Sequence, residues 1–254
     1  MAEDATSLRD SFRERGFALA RSAVDTEELE ALSRDVSRGL AEAPQSTRQA
    51  HGVRNLLSLA PGLAARLARP LYSLLAEEAL GSPARLVKGT FFDKPVDANW
   101  GVPWHQDLTI VVAAEHGVEG FTNWSVKHGA VNVQAPASVL ESIVALRIHL
   151  DDCPAENGAL RVVPGSHSHG RLTSAHTSQL LSKHGEIICE ARKGDVLLMS
   201  PLLLHSSSKS ASPCHRRVIH LEYAGADLPA PLTWQFEFDS DRTAESTRRE
   251  GCPN

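Results

Sequence analysis

The sequence predicts a mainly β fold with a helical buttress: a double-stranded β-helix, or jelly roll, of cupin-like form. Two observations carry that expectation. Up to residue 80 the apolar residues recur at helical spacing, whereas from 84 to 224 they fall in short runs punctuated by Gly, Pro, Asn and Asp. Several short strands after a helical block fit an antiparallel sandwich or barrel resting on helices. No linker, internal repeat or low-complexity tract interrupts the chain, and 254 residues can enclose one core. Residues 1–254 therefore read as one domain, with 1–80 as helical support and 84–224 as the jelly-roll core.

The elements follow in order. Leu8, Phe12 and Arg15 share one side of a helix that Gly16 stops, and Phe17–Ala20 is apolar and short enough for a strand. Asp25 or Thr26 caps a helix carrying Leu29, Leu32, Val36 and Leu40. Pro61 can open another, with Leu63, Leu67, Leu71, Leu74 and Leu75 as its apolar side, and Pro70 must kink or divide it. Strands are expected at 84–92, 105–113, 142–150, 159–163, 186–191, 195–200 and 217–224. Residues 114–141 carry no convincing strand. Phe121, Trp124 and Val126 need something to pack on, so the stretch is expected to be an ordered lid, with Asn123, Trp124, Lys127 and Gln134 able to reach a ligand.

A formal net charge of -5 leaves no basic surplus for a phosphate backbone, so no nucleic-acid partner is expected. Cys153, Cys189, Cys214 and Cys252 form no CxxC pair, which favours a reduced, cytoplasmic chain over a disulfide framework or a zinc ribbon. No signal-peptide core and no apolar run of membrane-spanning length is present, and the terminal Cys-Pro-Asn is not a peroxisomal address; no membrane association is expected.

The chemistry begins at VPWHQDLTI (102–110), where His105 and Asp107 are two apart. On an extended strand such positions share a face, so an imidazole and a carboxylate can converge on one ion. A bare HxD also describes a His and an Asp on a solvated strand face. His205, closing the apolar run GDVLLMSPLLLH, needs a polar partner if buried, and a metal ion would be one. Two His and one carboxylate leave adjacent coordination positions open, the arrangement of non-haem Fe(II) oxygenases, which accept a bidentate 2-oxo acid and then O2. The far carboxylate of such an acid needs a buried cation. Arg216 and Arg217 lie eleven and twelve residues past His205, and a turn through 206–215 would lay their strand beside the one ending in His205.

At this point the sequence resembles the phytanoyl-CoA dioxygenase family of Fe(II)/2-oxoglutarate oxygenases. GFALARSAVDTEELEAL, WHQDLT, RIHLDDCPAENGALRVVPGSHSHG, and KGDVLLMSPLLLHSSS followed by RRVIHLEY carry the likeness, in family order across 16–224. The resemblance implies a jelly-roll core with His105, Asp107 and His205 as iron ligands. It also implies Arg216 as anchor for 2-oxoglutarate, Ser207 as a supporting hydroxyl and Arg217 as the alternate, since strand alternation turns only one Arg inward. Val218 and His220 would share the inner face, and Ile219, Leu221 and Tyr223 would pack outward against helices. ENGALRVVPGSH resembles the family's turn, strand and turn, with Asn157-Gly158 as a tight hairpin and Pro164-Gly165 ending the strand. His167 reads as a satisfied histidine and not as a fourth ligand.

The reaction so implied hydroxylates a C–H of a small-molecule substrate with release of succinate and CO2. In halogenating relatives a small residue replaces the carboxylate; Asp107 is present here, favouring hydroxylation. Desaturation, epimerisation or cyclisation on the same cofactors is the alternative, and a non-catalytic cupin-like metal-binding or sensing domain is the alternative of another class. Lys88, Lys94, Arg147 and His149 are further substrate candidates, Arg147 being equally able to pair with Asp151 or Asp152. With no Lys/Arg cluster, an acyl-CoA is not favoured over an amino acid, an alkaloid or another secondary metabolite.

Overall fold

The structure is a computed structural model, described here for residues 7–42, 52–59, 61–94, 101–127, 129–211 and 215–236. Helix α1 (Leu8–Arg15) starts at Ser7, whose side chain accepts from the Asp10 N–H, and ends at Gly16 in the left-handed region (φ 79°). Strand β1 (Phe17–Ala20) follows. Helix α2 (Thr26–Glu42) is capped by Asp25, whose Oδ1 accepts from Glu28 N at 2.8 Å.

After β2 (Gly52–Arg54) come α3 (Leu56–Leu59), α4 (Pro61–Leu67) and α5 (Pro70–Leu80). Pro70 divides the expected long helix outright, and the break resets the helical phase. Helix α5 consequently buries Tyr72, Ser73, Ala76 and Ala79, and leaves Leu71 and Leu74 exposed; the expected single leucine face does not exist. Glu28 on α2 ties the block together, meeting Arg66, Arg69 and the Tyr72 hydroxyl.

The remaining strands are β3 (Arg85–Lys94), β4 (Val102–His105), β5 (Thr109–Val112), β6 (Thr122–Lys127), β7 (Ala130–Gln134), β8 (Ile143–His149), β9 (Leu160–Val162), β10 (Ile187–Cys189), β11 (Val196–Met199), β12 (His205–Ser207) and β13 (Arg216–Ala224), with helices α6 (Ala137–Leu140) and α7 (Ser174–Lys183) between them. They form a six-stranded sheet β1-β11-β8-β13-β3-β2, a four-stranded sheet β10-β9-β12-β4 and a three-stranded sheet β5-β7-β6, and every pairing is antiparallel. The six- and four-stranded sheets face one another and the larger also rests on the helices, which is the jelly roll that the sequence predicts.

Alternation along β8, β11 and β13 sorts the core. Val144, Leu146, Ile148, Leu198, Ile219, Leu221 and Tyr223 pack against Phe12, Leu29, Leu32, Leu63 and Leu67 of the helices. Ala145, Leu197 and Met199 instead meet Leu160, Val162 and Cys189 of the smaller sheet. Each fully buried Leu or Ile in these layers contributes about 1.5–3 kcal/mol.

Four expectations change. The stretch 114–141 is no lid of irregular chain. Its hairpin β6–β7 turns at Gly129 (φ 75°) and joins β5, with Trp124, Val131 and Val133 packed on a core with Ile110 and Trp234. Its period-two signal is weak because β6 is largely exposed on both faces. The expected strand 105–113 is two strands, broken at 106–108. Asn157-Gly158 makes no two-residue hairpin: residues Ala155–Asn157 form a 3-10 turn closed by Gly158 (φ 68°), and the chain crosses there from the larger sheet to the smaller. Finally, β13 pairs with β3 and β8, not with β12. Among the described residues no helix is long and apolar enough to cross a membrane.

Candidate metal centre

His105 ends β4 and His205 opens β12, and the two are direct partners across the antiparallel ladder. Their rings lie 4.2 Å apart, tilted by 51°. Asp107 is not on the strand. Its N–H donates to Pro201 O at 2.8 Å, which curls the 106–108 segment so that the carboxylate spans both rings. Asp107 Oδ1 is 3.6 Å from His105 Nε2 and Oδ2 is 3.6 Å from His205 Nε2. One ligand atom from each residue falls within 4.8 Å of the others, a group able to hold one metal ion.

The ring nitrogens are assigned by their surroundings. His105 Nδ1 lies 2.8 Å from Pro103 O, and His205 Nδ1 lies 2.8 Å from Leu203 O. A carbonyl only accepts, so each Nδ1 carries the proton and each Nε2 presents a lone pair towards Asp107. Such backbone acceptors are what orient metal-ligating imidazoles. Burial pushes the His205 imidazole down to about 4, although Asp107 opposes the shift, so the ring is neutral near pH 7. Burial alone would raise the Asp107 carboxyl, but His205, His220, His105 and Lys88 around it hold it well below the usual carboxylate range.

These residues line a cavity of about 480 Å³ shared with Lys88, Arg147, Ser207, Arg216, His220 and Glu222. Arg216 reaches it from the opposite sheet, not from the strand beside His205. It is 6% exposed, and its guanidinium donates to Gly158 O. Arg217 points the other way and grips Asp151 in two-pronged fashion, with Nε to Oδ2 at 2.9 Å and Nη2 to Oδ1 at 2.6 Å. Asp151 is thereby unavailable to Arg147, and Asp152 Oδ1 accepts from Lys193 N; the alternative pairing of Arg147 does not form.

The other sequence candidates divide. Lys88 faces the cavity but is committed, donating to Glu222 Oε1 at 2.6 Å and to Thr109 O at 3.0 Å. Ser207 is buried in the cavity wall. Asn132 and Lys127 line the cavity, whereas Trp124 packs into the core behind the three-stranded sheet and Gln134 accepts from Asn123 and Arg171. His149 is buried outside the lining, with neither ring nitrogen partnered among the described residues. His167 Nε2 lies 3.2 Å from Arg13 O, and the residue belongs neither to the metal group nor to the cavity lining. The Lys94 side chain lies outside the described residues. His220, Glu222, Phe92 and Thr90 are cavity residues that the sequence reading did not single out as ligand contacts. Period-two counting from Arg216 reaches His220 and Glu222, and was the signal available for them.

The family described as phytanoyl-CoA dioxygenase (PhyH) matches residues 12–218. An L-proline trans-4-hydroxylase of Streptomyces griseoviridis is 26% identical over 211 residues, covering 72% of this chain and 69% of the relative. The non-heme alpha ketoglutarate dependent carbocyclase SnoK from nogalamycin biosynthesis superposes with a TM-score of 0.65 at 20% identity, covering 87% of this chain and 83% of that one. The epimerase SnoN, solved in complex with Fe3+, alpha ketoglutarate and nogalamycin RO, gives 0.65 at 18% identity, covering 92% and 93%. At such identities the structural likeness establishes the fold.

Proposed function

The chain belongs to the phytanoyl-CoA dioxygenase family of iron- and 2-oxoglutarate-dependent oxygenases, and from that premise we propose that it hydroxylates a C–H of a small molecule, holding Fe(II) with His105, Asp107 and His205. The observation that carries this reading is the pair of imidazoles whose Nδ1 atoms are both spent on carbonyls, leaving two Nε2 lone pairs and one carboxylate aimed at a common point. Three protein donors on one side leave room for a bidentate 2-oxo acid, and neutral imidazole with carboxylate suits iron.

Arg216 fits the distal carboxylate of 2-oxoglutarate. Its charge is buried, and the partner it has at Gly158 is a neutral carbonyl, so an incoming carboxylate gains a charge-assisted pair without breaking an ion pair there. Ser207, buried in the cavity wall on β12, would offer a supporting hydroxyl from the facing sheet. What iron and 2-oxoglutarate supply when bound is oxidative decarboxylation to succinate coupled to oxidation of a substrate C–H. The protein's part is to orient and to exclude. The Pro103 and Leu203 carbonyls fix the rings, the Asp107 backbone bond to Pro201 fixes the carboxylate, and the apolar layer of Leu160, Val162 and Met199 closes the barrel behind them. Asp107 is a full carboxylate where halogenating relatives have a small residue, which supports oxygen insertion over halogenation.

Anaerobic Fe(II) with 2-oxoglutarate should give the weak visible metal-to-ligand charge-transfer band, absent in His105→Ala and much weakened in Arg216→Ala. If iron loads and neither this band nor succinate appears, the oxygenase reading fails. Mass spectrometry of products then separates outcomes: hydroxylation adds one oxygen atom, desaturation or cyclisation removes two hydrogens, and epimerisation changes no mass. L-proline is the first substrate to test, given the hydroxylase relative.

A further inference from the structure

Arg147 projects from β8 into the cavity, opposite His220 of β13. Its Nη1 lies 3.2 Å from His220 Nδ1 and its guanidinium sits 5.6 Å from the centre of the Phe92 ring. A guanidinium only donates, so His220 Nδ1 accepts and the ring proton is on Nε2, which faces Glu222 Oε1 at 3.6 Å. Glu222 is in turn the counter-ion of Lys88. Among the described residues Arg147 thus reaches only a neutral ring and an aromatic face. Its Nε is buried without a hydrogen-bond partner, and it makes no ion pair among the described residues.

The charges around it close without it. Lys88 and Glu222 cancel. On the oxygenase reading, Arg216 pairs with the distal carboxylate of 2-oxoglutarate, and Asp107 together with the other carboxylate balances a divalent ion. Arg54 and Lys127 lie exposed at the mouth, where solvent screens them. Among the described residues one buried positive charge is left over. A buried charge without a partner is unfavourable by several kcal/mol in general, so a site that keeps one is built for a ligand that brings the opposite sign.

We propose that Arg147 is the substrate-recognition cation of this site, and that the substrate is a small molecule carrying a carboxylate that pairs with it. This rests on the oxygenase reading and narrows its substrate class. Burial, reinforced by Arg216 and only partly opposed by Asp107, lowers the guanidinium to about 10, in keeping with a cation that has no carboxylate in direct contact. A neutral or cationic substrate would leave the charge uncompensated. The planar fork of Arg147, with Nε and the second Nη free of His220, suits two parallel bonds to a carboxylate.

The test uses nickel-substituted protein, which loads 2-oxoglutarate without turnover. Its 2-oxoglutarate affinity is measured first by calorimetry; failure to bind would overturn the oxygenase reading and this inference together. The loaded protein is then challenged with acid and amide pairs: L-proline and L-prolinamide, L-pipecolate and L-pipecolamide, benzoate and benzamide. We expect the acid of at least one pair to raise the melting temperature and bind about tenfold or more tighter than its amide. Arg147→Met should abolish that preference and Arg147→Lys should keep part of it, with 2-oxoglutarate affinity within about twofold of the parent in both. Removing an uncompensated buried charge should not impair folding, and Arg147→Lys serves if it does. The inference is overturned if no acid is preferred, if the preference survives Arg147→Met, or if Arg147→Met weakens 2-oxoglutarate about tenfold, since Arg147 would then serve the cosubstrate.

Discussion

His105 and His205 are a hundred residues apart in the chain yet directly opposed on neighbouring strands, and their rings approach to 4.2 Å. The ladder therefore sets the distance between the two imidazoles, and Asp107 closes the triangle from the adjoining bend. A site built on paired strands is held more rigidly than one carried on loops.

Metal binding should depend on all three residues. His205→Ala is expected to reduce Fe(II) or Ni(II) affinity by more than the roughly 10–100-fold typical of losing a partner that merely orients a ligand. Equilibrium dialysis with metal analysis checks this. Affinity within about threefold of the parent would remove His205 from the metal group.

The two adjacent arginines should behave differently. Arg216→Ala is expected to weaken 2-oxoglutarate binding about tenfold to a hundredfold, from loss of a charge-assisted pair. Arg217→Ala removes the half-exposed pair with Asp151, and should cost at most about 1 kcal/mol of stability with 2-oxoglutarate affinity unchanged. Calorimetric titration and urea unfolding of both variants separate the roles; equal losses of 2-oxoglutarate affinity would contradict the structure.

Gly158 should not tolerate a side chain. Its φ is +68°, and a Cβ there would lie 2.6 Å from Ser208 O, close beside the Arg216 guanidinium. Gly158→Ala should destabilise the protein by about 1–3 kcal/mol and weaken 2-oxoglutarate binding together, because the displaced groups frame Arg216. Thermal unfolding and titration on the same sample test the coupling.

Buried His149 predicts an acid limb in stability. Burial, aided by Arg147 and Arg216, lowers its imidazole to about 3, whereas in the unfolded chain it titrates near 6.5. Between those values the unfolded state binds the extra proton, so stability rises with pH there and falls as pH drops below about 6.5. His149→Met should flatten that slope between about pH 6 and pH 4 in urea-unfolding series, while leaving stability at pH 8 within about 1 kcal/mol. An unchanged slope would show that His149 does not titrate in this way.

Much of the fold was legible because local chemistry agrees with the final structure. Gly16 stops α1 in a left-handed conformation, Asp25 caps α2, and the alternation of RRVIHLEYA separates Ile219, Leu221 and Tyr223 from His220 and Glu222. The hairpin β6–β7 was hidden because a strand exposed on both faces carries no alternating signal. The phase break at Pro70 was visible, but its effect on which leucines are buried was not, since that depends on what the helix packs against.

By itself the sequence determined the sheet-on-helix architecture and, through HxD, a distant His and an Arg pair, the residue types of the candidate site. Those are properties of short stretches, set by backbone periodicity and side-chain chemistry. Only the tertiary structure decided that Arg216 enters from the sheet opposite His205, that Arg217 is taken by Asp151, and that Arg147 is left without a carboxylate among the described residues. Each depends on which strands pair and which charges meet across them. Long-range pairing fixes that, and no stretch of the sequence contains it.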